Sequence, residues 1–255
     1  MYYLGIDVGS TATKCIVVDG SGTIVGKGLK RGGAGTKAPA AAEAEALAQA
    51  HASESEIETI CATGYGRHLF DQANMEKSEL SCHAKGASRL FPGVRTVIDI
   101  GGQDAKVLRI GEDGSLENFA MNDKCAAGTG RFLDVMAGVF GCDVSELSDY
   151  DRHSSQSVSI SSTCTVFAES EVISKLASGE SIYDVAAGVH DSVVNRTAGL
   201  ANRLGIVKPV AMTGGVALND ALRERLERKI GCPIETSDLA QFNGAYGAAL
   251  YALGV

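Results

Sequence analysis

Short apolar runs broken by glycine alternate along this chain with longer stretches of helical period. The runs over 2–8, 14–19 and 23–29 have the look of buried strands, joined by tight turns at "GSTA" and "DGSG". "PAAAEAEALAQAH" predicts a helix over 39–51, with Pro39 suited to a first helical turn. "IETICATGYG" is a strand running into a glycine turn, and a helix over 77–91 follows. The order then begins again. "TVIDIGGQDAKVLRIGEDGSLENFAM" predicts three strands with two turns. Helical periods follow over 129–140, 165–178, 182–204 and 218–230, with "KPVAMTGG" as a buried strand before the last of these. A final helix is predicted over 240–253.

The restart is an internal repeat. "GIDVGSTATKCIV" (5–17) aligns without a gap on "VIDIGGQDAKVLR" (97–109), so that Asp7 matches Asp99, Gly9 matches Gly101 and Lys14 matches Lys106. "CATGYG" (61–66) has a second echo in "AMTGGV" (211–216). Two similar α/β lobes with mixed sheets are expected, one over 1–93 and one over 94–239, with the segment 240–255 packing back on the first. A cleft between them would let both glycine turns meet one ligand.

Composition narrows the chemistry. The 255 residues are 45% hydrophobic and 21% charged, an ordinary globular balance. A net charge of -8 without a basic stretch argues against nucleic acid as a partner. Neither a spanning apolar run nor a signal-like start is present, which points to the cytoplasm and away from a membrane. Seven cysteines in that compartment are not expected to pair as disulfides.

An aspartate at the end of a buried strand, followed at once by a glycine turn, sets a carboxylate beside exposed backbone N–H groups. Asp7 and Asp99 would hold Mg²⁺ through water. The turn Gly9, Ser10, Thr11, Ala12 and Thr13 would cradle phosphate oxygens with N–H and hydroxyl groups, and Lys14 would neutralise terminal phosphates. One such turn alone is most often a plain hairpin; the repeat in register favours a nucleoside triphosphate. The layout resembles the actin/Hsp70/hexokinase superfamily of two-lobed ATPases, which implies an actin-like fold with the nucleotide cleft between the lobes. By that resemblance Gly101, Gly102 and Gln103 lie on the second phosphate side. Gly214, Gly215 and Gln241 contact the nucleoside, and Asp104 joins Asp7, Asp99 and Gln103 as a candidate catalytic group.

Cys125 and Cys164 each precede an amphipathic helix, the second with Phe167, Val172, Ile173 and Leu176 on its apolar side. A helix N-terminus favours a thiolate. Spacing alone leaves three readings: two buried cysteines packing as small hydrophobes, a catalytic thiol, or half of a four-thiolate site completed by a second chain. Cys82, beside His83, is a rival ligand. "MNDKCAAGTGRFLDVMA" and "SISSTCTVFAESEVISKLA", with "ELSCHAKGA" and "NGAYGAALYA", closely resemble the activator ATPases of 2-hydroxyacyl-CoA dehydratases. That resemblance implies one [4Fe–4S] cluster per homodimer, held by Cys125 and Cys164 of each chain, with the positive helix ends aimed at it. It implies ATP/ADP with Mg²⁺ as cofactors, and one-electron donation to a dehydratase coupled to ATP hydrolysis. A ferredoxin or flavodoxin would be the electron donor. The rival functions are an electron-feeding ATPase for a benzoyl-CoA reductase-type or double-cubane-cluster protein, a small-molecule kinase of the same superfamily, and a non-catalytic nucleotide-dependent regulator.

Overall fold

Each strand-rich start folds as a meander that a parallel strand then extends. The computed structural model describes residues 1–122, 126–161 and 164–255. Along the chain run β1 (Tyr2–Val8), β2 (Ala12–Asp19), β3 (Ile24–Arg31), α1 (Ala38–Ala50), β4 (Ile57–Thr63), β5 (Met75–Glu76) and α2 (Glu79–Leu90). Then come β6 (Thr96–Ile100), β7 (Ala105–Ile110), β8 (Leu116–Asn122), α3 (Gly130–Phe140), α4 (Leu147–Arg152), α5 (Thr165–Ala177) and α6 (Ile182–Leu204). β9 (Val210–Thr213), α7 (Asp220–Ile230), β10 (Ile234–Glu235) and α8 (Asn243–Leu253) complete the order.

The two sheets have one plan. Their strand orders are β3-β2-β1-β4-β5 and β8-β7-β6-β9-β10, so each strand of the first has a counterpart in the second. β1 pairs antiparallel with β2 and parallel with β4; β6 pairs antiparallel with β7 and parallel with β9. The expected α/β class, two similar units of mixed sheet flanked by helices, is the one adopted. One compact unit comprises Met1–Val94, Ile110–Glu117 and Ser237–Val255, and the other Arg95–Arg109 and Asn118–Thr236.

Alternation along β2 explains how the first sheet is covered on both faces. Cys15 and Val17 pack with Leu4, Ile6 and Val8 against Ala42, Ala46 and Leu47 of α1. Ile16 and Val18 point the other way, onto Ala245, Tyr246, Ala249 and Leu250 of α8. Burying a leucine or isoleucine of this kind contributes about 1.5–3 kcal/mol. Central β6 is buried at every residue, as a strand covered on both faces must be.

The helix starts are set by local chemistry. Ser78 caps α2 by accepting from the Ser81 N–H at 3.1 Å, so that helix begins at Glu79 rather than 77. The segment expected as one helix from 240 opens as a 3-10 turn over Ala240–Phe242 before α8. α5 differs from its sequence reading: Ala168 and Val172 face inward, whereas Phe167 and Ile173 are exposed. Among the described residues no helix is long and apolar enough to cross a membrane.

Candidate nucleotide and cluster sites

The strand register puts the same four groups together in each unit. In the first, β1 sets Asp7 opposite Lys14 on β2 and opposite Thr63 on β4. In the second, β6 sets Asp99 opposite Lys106 on β7 and opposite Thr213 on β9. Each threonine is followed by a glycine in the left-handed region, Gly64 at φ +88° and Gly214 at φ +85°. A Cβ on Gly64 would overlap Asp7 Oδ1, and one on Gly214 would overlap the Ile100 carbonyl oxygen. Both turns therefore need glycine twice over, for conformation and for space. The Gly64 turn, which from sequence reads slightly better as a plain turn, lies directly against the Asp7 carboxylate.

The repeats differ in how their charges are held. Lys14 Nζ lies 2.8 Å from Asp7 Oδ2, with the lysine side chain 16% exposed. Lys106 is buried and lies 3.5 Å from Asp99 Oδ2 and 2.7 Å from Asp104 Oδ2. Thr213 donates its hydroxyl proton to Asp99 Oδ1 at 2.7 Å, while Thr63 donates to the Lys77 carbonyl at 3.0 Å. Asp104 is partly exposed and Gln103 exposed on the turn that follows. Sequence reasoning missed Lys106, Thr63 and Thr213 as site residues. The gapless repeat carries the signal for Lys106, and the second echo, 61–66 with 211–216, carries it for Thr63 and Thr213.

Within the Gly9–Thr13 turn, the Thr11 hydroxyl is buried and makes no hydrogen bond among the described residues. A phosphate oxygen or metal-bound water suits such an orphan. Thr13 is a correction to the expected cradle. Its side chain is fully buried and its hydroxyl donates to the Gly32 carbonyl at 2.9 Å, inside the hairpin. Gln241 lies on the 3-10 turn of the first unit, and Gly214 and Gly215 belong to the second.

The Gly214–Gly215 turn is anchored through α7. Asn219 caps that helix, accepting from the Leu222 N–H at 3.0 Å, and its amide nitrogen lies 3.1 Å from His190 Nε2. An amide nitrogen only donates, so Nε2 accepts and the His190 proton sits on Nδ1, 2.7 Å from Asp151 Oδ2. Arg225 bonds Asp151 and, at 2.8 Å, Asp191. Burial alone would raise the Asp151 carboxyl; the hydrogen bonds from His190 and Arg225 outweigh it and hold it well below the usual range.

Cys125 lies outside the described residues. Cys164 is the extended N-cap residue of α5, with a half-buried side chain. Cys82, the rival ligand, is fully buried, and its hydrogen bond with Cys61, together with burial, raises its thiol well above the usual range. The start of α3 is bound to the glycine turn of its own unit. Its first N–H groups donate to the second phosphate turn, Gly130 N to the Gly101 carbonyl at 2.9 Å and Arg131 N to the Gly102 carbonyl at 2.8 Å. Those two donors are spent on that turn. Among the described residues no three His, Cys, Asp or Glu side chains converge as a metal cage.

With this geometry in hand, the likeness to known proteins is decisive. The BadF/BadG/BcrA/BcrD ATPase family matches over residues 4–252. The chain belongs to that ATPase family. A curated relative of the ATPase, the (R)-2-hydroxyglutaryl-CoA dehydratase activating ATPase of Acidaminococcus fermentans, is 56% identical over 253 residues, covering 99% of this chain and 97% of the relative. The crystal structure of (R)-2-hydroxyglutaryl-CoA dehydratase component A from the same organism aligns at a TM-score of 0.95 and 55% identity, over 100% of this chain and 98% of that one. The activator of the 2-hydroxyisocaproyl-CoA dehydratase from Clostridium difficile, solved with bound ADPNP, aligns at 0.96 and 47% identity, over 100% and 95%. The fold is thus the actin-like ATPase fold.

Proposed function

We propose that the chain is the activating ATPase of a 2-hydroxyacyl-CoA dehydratase. In this reading it works as a homodimer, binds ATP with Mg²⁺, and couples hydrolysis to the donation of one electron to the dehydratase. A ferredoxin or flavodoxin reloads it. The observation that carries the reading is the Asp–Lys–Thr–Gly arrangement built twice, once at each glycine turn, in a chain that matches activating ATPases from end to end.

The residues fit the nucleotide and its metal. Asp7 is a buried carboxylate at the mouth of a glycine turn, and the orphaned Thr11 hydroxyl and the Lys14 ammonium flank that turn. Mg²⁺ prefers such oxygen ligands and keeps its waters. Lys14 and the 9–12 backbone would hold phosphate oxygens, Asp7 a metal-bound water, and Gly101, Gly102 and Gln103 the opposite side of the phosphates. Gly214, Gly215 and Gln241 would touch the nucleoside. In the second unit Asp104 is better exposed than Asp99, whose carboxylate serves Lys106 and Thr213. Asp104 is therefore the better candidate there to orient the attacking water.

The described half of the cluster's ligand set fits as well. Cys164 presents a half-buried thiol at the N-terminus of α5, beside the exposed apolar residues Val166 and Phe167. With Cys125 it would give two thiolates per chain and four per dimer, the number a [4Fe–4S] cluster takes. When bound, that cluster supplies a low-potential one-electron carrier.

Anaerobic purification tests the reading. About two irons and two sulfides per chain, lost in Cys164→Ser and in Cys125→Ser, are expected alongside Mg²⁺-dependent ATP hydrolysis. Iron-free wild-type protein that hydrolyses ATP would sink the electron-donor function and leave only the ATPase.

A further inference from the structure

Thr129 is fully buried at the N-cap of α3, and its side chain makes no bond to its own helix. Its hydroxyl oxygen lies 2.6 Å from the Ala126 carbonyl oxygen and 3.1 Å from the Gly102 carbonyl oxygen. Gly102 belongs to the second phosphate turn. Ala126 follows Cys125 directly in the chain. One hydroxyl therefore faces a carbonyl from each of the two functional loops. It has a single proton to donate, so it serves one carbonyl at the expense of the other or divides itself between them.

The neighbouring backbone bonds strengthen the joint. Arg131 N donates to the same Gly102 carbonyl at 2.8 Å, Gly130 N donates to the Gly101 carbonyl at 2.9 Å, and Thr129 N donates to the Ala126 carbonyl at 3.0 Å. The helix start is thus fastened to the phosphate turn on one side and to the residue after Cys125 on the other. An ordinary N-cap side chain accepts a bond from its helix's own N–H groups. Thr129 instead spends its hydroxyl on two loops.

We propose that Thr129 is a positioning residue that couples the nucleotide turn to the cluster-binding loop. A shift of the Gly101–Gly102 backbone on nucleotide exchange changes the share of the Thr129 proton that Ala126 receives, and so moves the backbone next to Cys125. Coupling of this kind is reciprocal: cluster loading must alter nucleotide affinity by the same factor. The proposal rests on the function proposed above, since it needs both a nucleotide at this turn and a cluster on Cys125.

The test uses anaerobic holoprotein and the rate at which an iron chelator strips the cluster, with Mg²⁺–ADP, with Mg²⁺ and a non-hydrolysable ATP analogue, and without nucleotide. In the wild type the rates are expected to differ by about tenfold between nucleotide states, within the usual range of allosteric coupling. Thr129→Val keeps the shape and removes the hydroxyl. It should still load iron and bind nucleotide while the ratio of rates collapses towards one, and Thr129→Ser should restore the ratio. A Thr129→Val protein with the wild-type ratio would overturn the proposal, as would a loss that Thr129→Ser does not rescue. Should Thr129→Val fail to fold, amide exchange in the wild type decides. Nucleotide should change the protection of both 101–104 and 126–131, and a change confined to 101–104 overturns the coupling. A wild type that holds no iron or binds no nucleotide overturns the broader function as well, and is thereby distinguished from failure of Thr129 alone.

Discussion

Lys14 and Lys106 occupy the same register position in two copies of one hairpin, yet their surroundings assign them different work. Lys106 and Asp99 are both 2% exposed in their side chains, so neither charge has water to fall back on. Lys106→Met should therefore cost about 3–5 kcal/mol, because it removes the buried cation that faces both Asp99 and Asp104. Urea unfolding would register this as a lower midpoint. Lys14 is closer to solvent, and the proposed phosphate contact is its main duty. Lys14→Met should lose about 1 kcal/mol of stability but weaken ATP binding by about tenfold or more, read by titration calorimetry. Equal stability losses in the two variants would contradict this division. The two turn glycines make a second prediction at this scale. Gly64→Ala and Gly214→Ala combine a left-handed φ with overlap against Asp7 and Ile100 respectively, and should each cost about 2–4 kcal/mol. Gly93 has a similar φ of +81° with nothing within 4 Å of its missing Cβ. Gly93→Ala isolates the backbone part, about 1 kcal/mol.

At the scale of elements, the network of Asp151, His190, Arg225 and Asn219 joins α4, α6 and α7, and so holds the helix that follows the Gly214–Gly215 turn. The folded Asp151 carboxyl titrates below its unfolded value of about 4. Its stabilising contribution is complete above that pH and is lost as acid carries the pH down towards the folded value. Asp151→Asn should remove about 3 kcal/mol near neutral pH, and the gap to wild type should narrow below about pH 4, as followed by urea unfolding at stepped pH. A gap that stays constant into acid would mean the carboxylate's charge contributes nothing. This network also marks where sequence reading stops. Asp151 and Arg225 are far apart in the chain, and only the packing of three helices brings them together. α4 and the two-residue strands β5 and β10 are too short to carry a period, so the hydrophobic pattern passes over them. The hairpins were legible because the repeat aligned Asp with Lys in both copies. The pairing of Asp with Lys across each hairpin, fixed by turn length, comes from the structure. Thr13 misled because its residue type suits a cradle while strand alternation turns it inward.

On the scale of the whole molecule, α5 is the element whose two faces disagree. Ala168 and Val172 are wholly buried on its own core, while Val166, Phe167 and Ile173 are 65%, 69% and 51% exposed. Apolar side chains of this size set beside Cys164 are what a two-fold partner would cover if each chain supplies half of a four-thiolate site. Phe167→Lys should then convert the proposed homodimer largely to monomer, as seen by sedimentation under anaerobic conditions. Iron per chain should fall with it, because a lone chain offers two thiolates and a cluster takes four. The monomer itself should keep its stability within about 0.5 kcal/mol, since an exposed side chain has little folded-state packing to lose. ATP binding should persist, because the Asp7 and Asp99 turns are built from strands that α5 does not join. If Phe167→Lys stays dimeric with full iron, α5 is not the shared edge, and the exposed residues must serve another contact. If iron falls while the dimer persists, the interface lies elsewhere, and the substitution acts on the cluster's surroundings through the neighbouring Cys164.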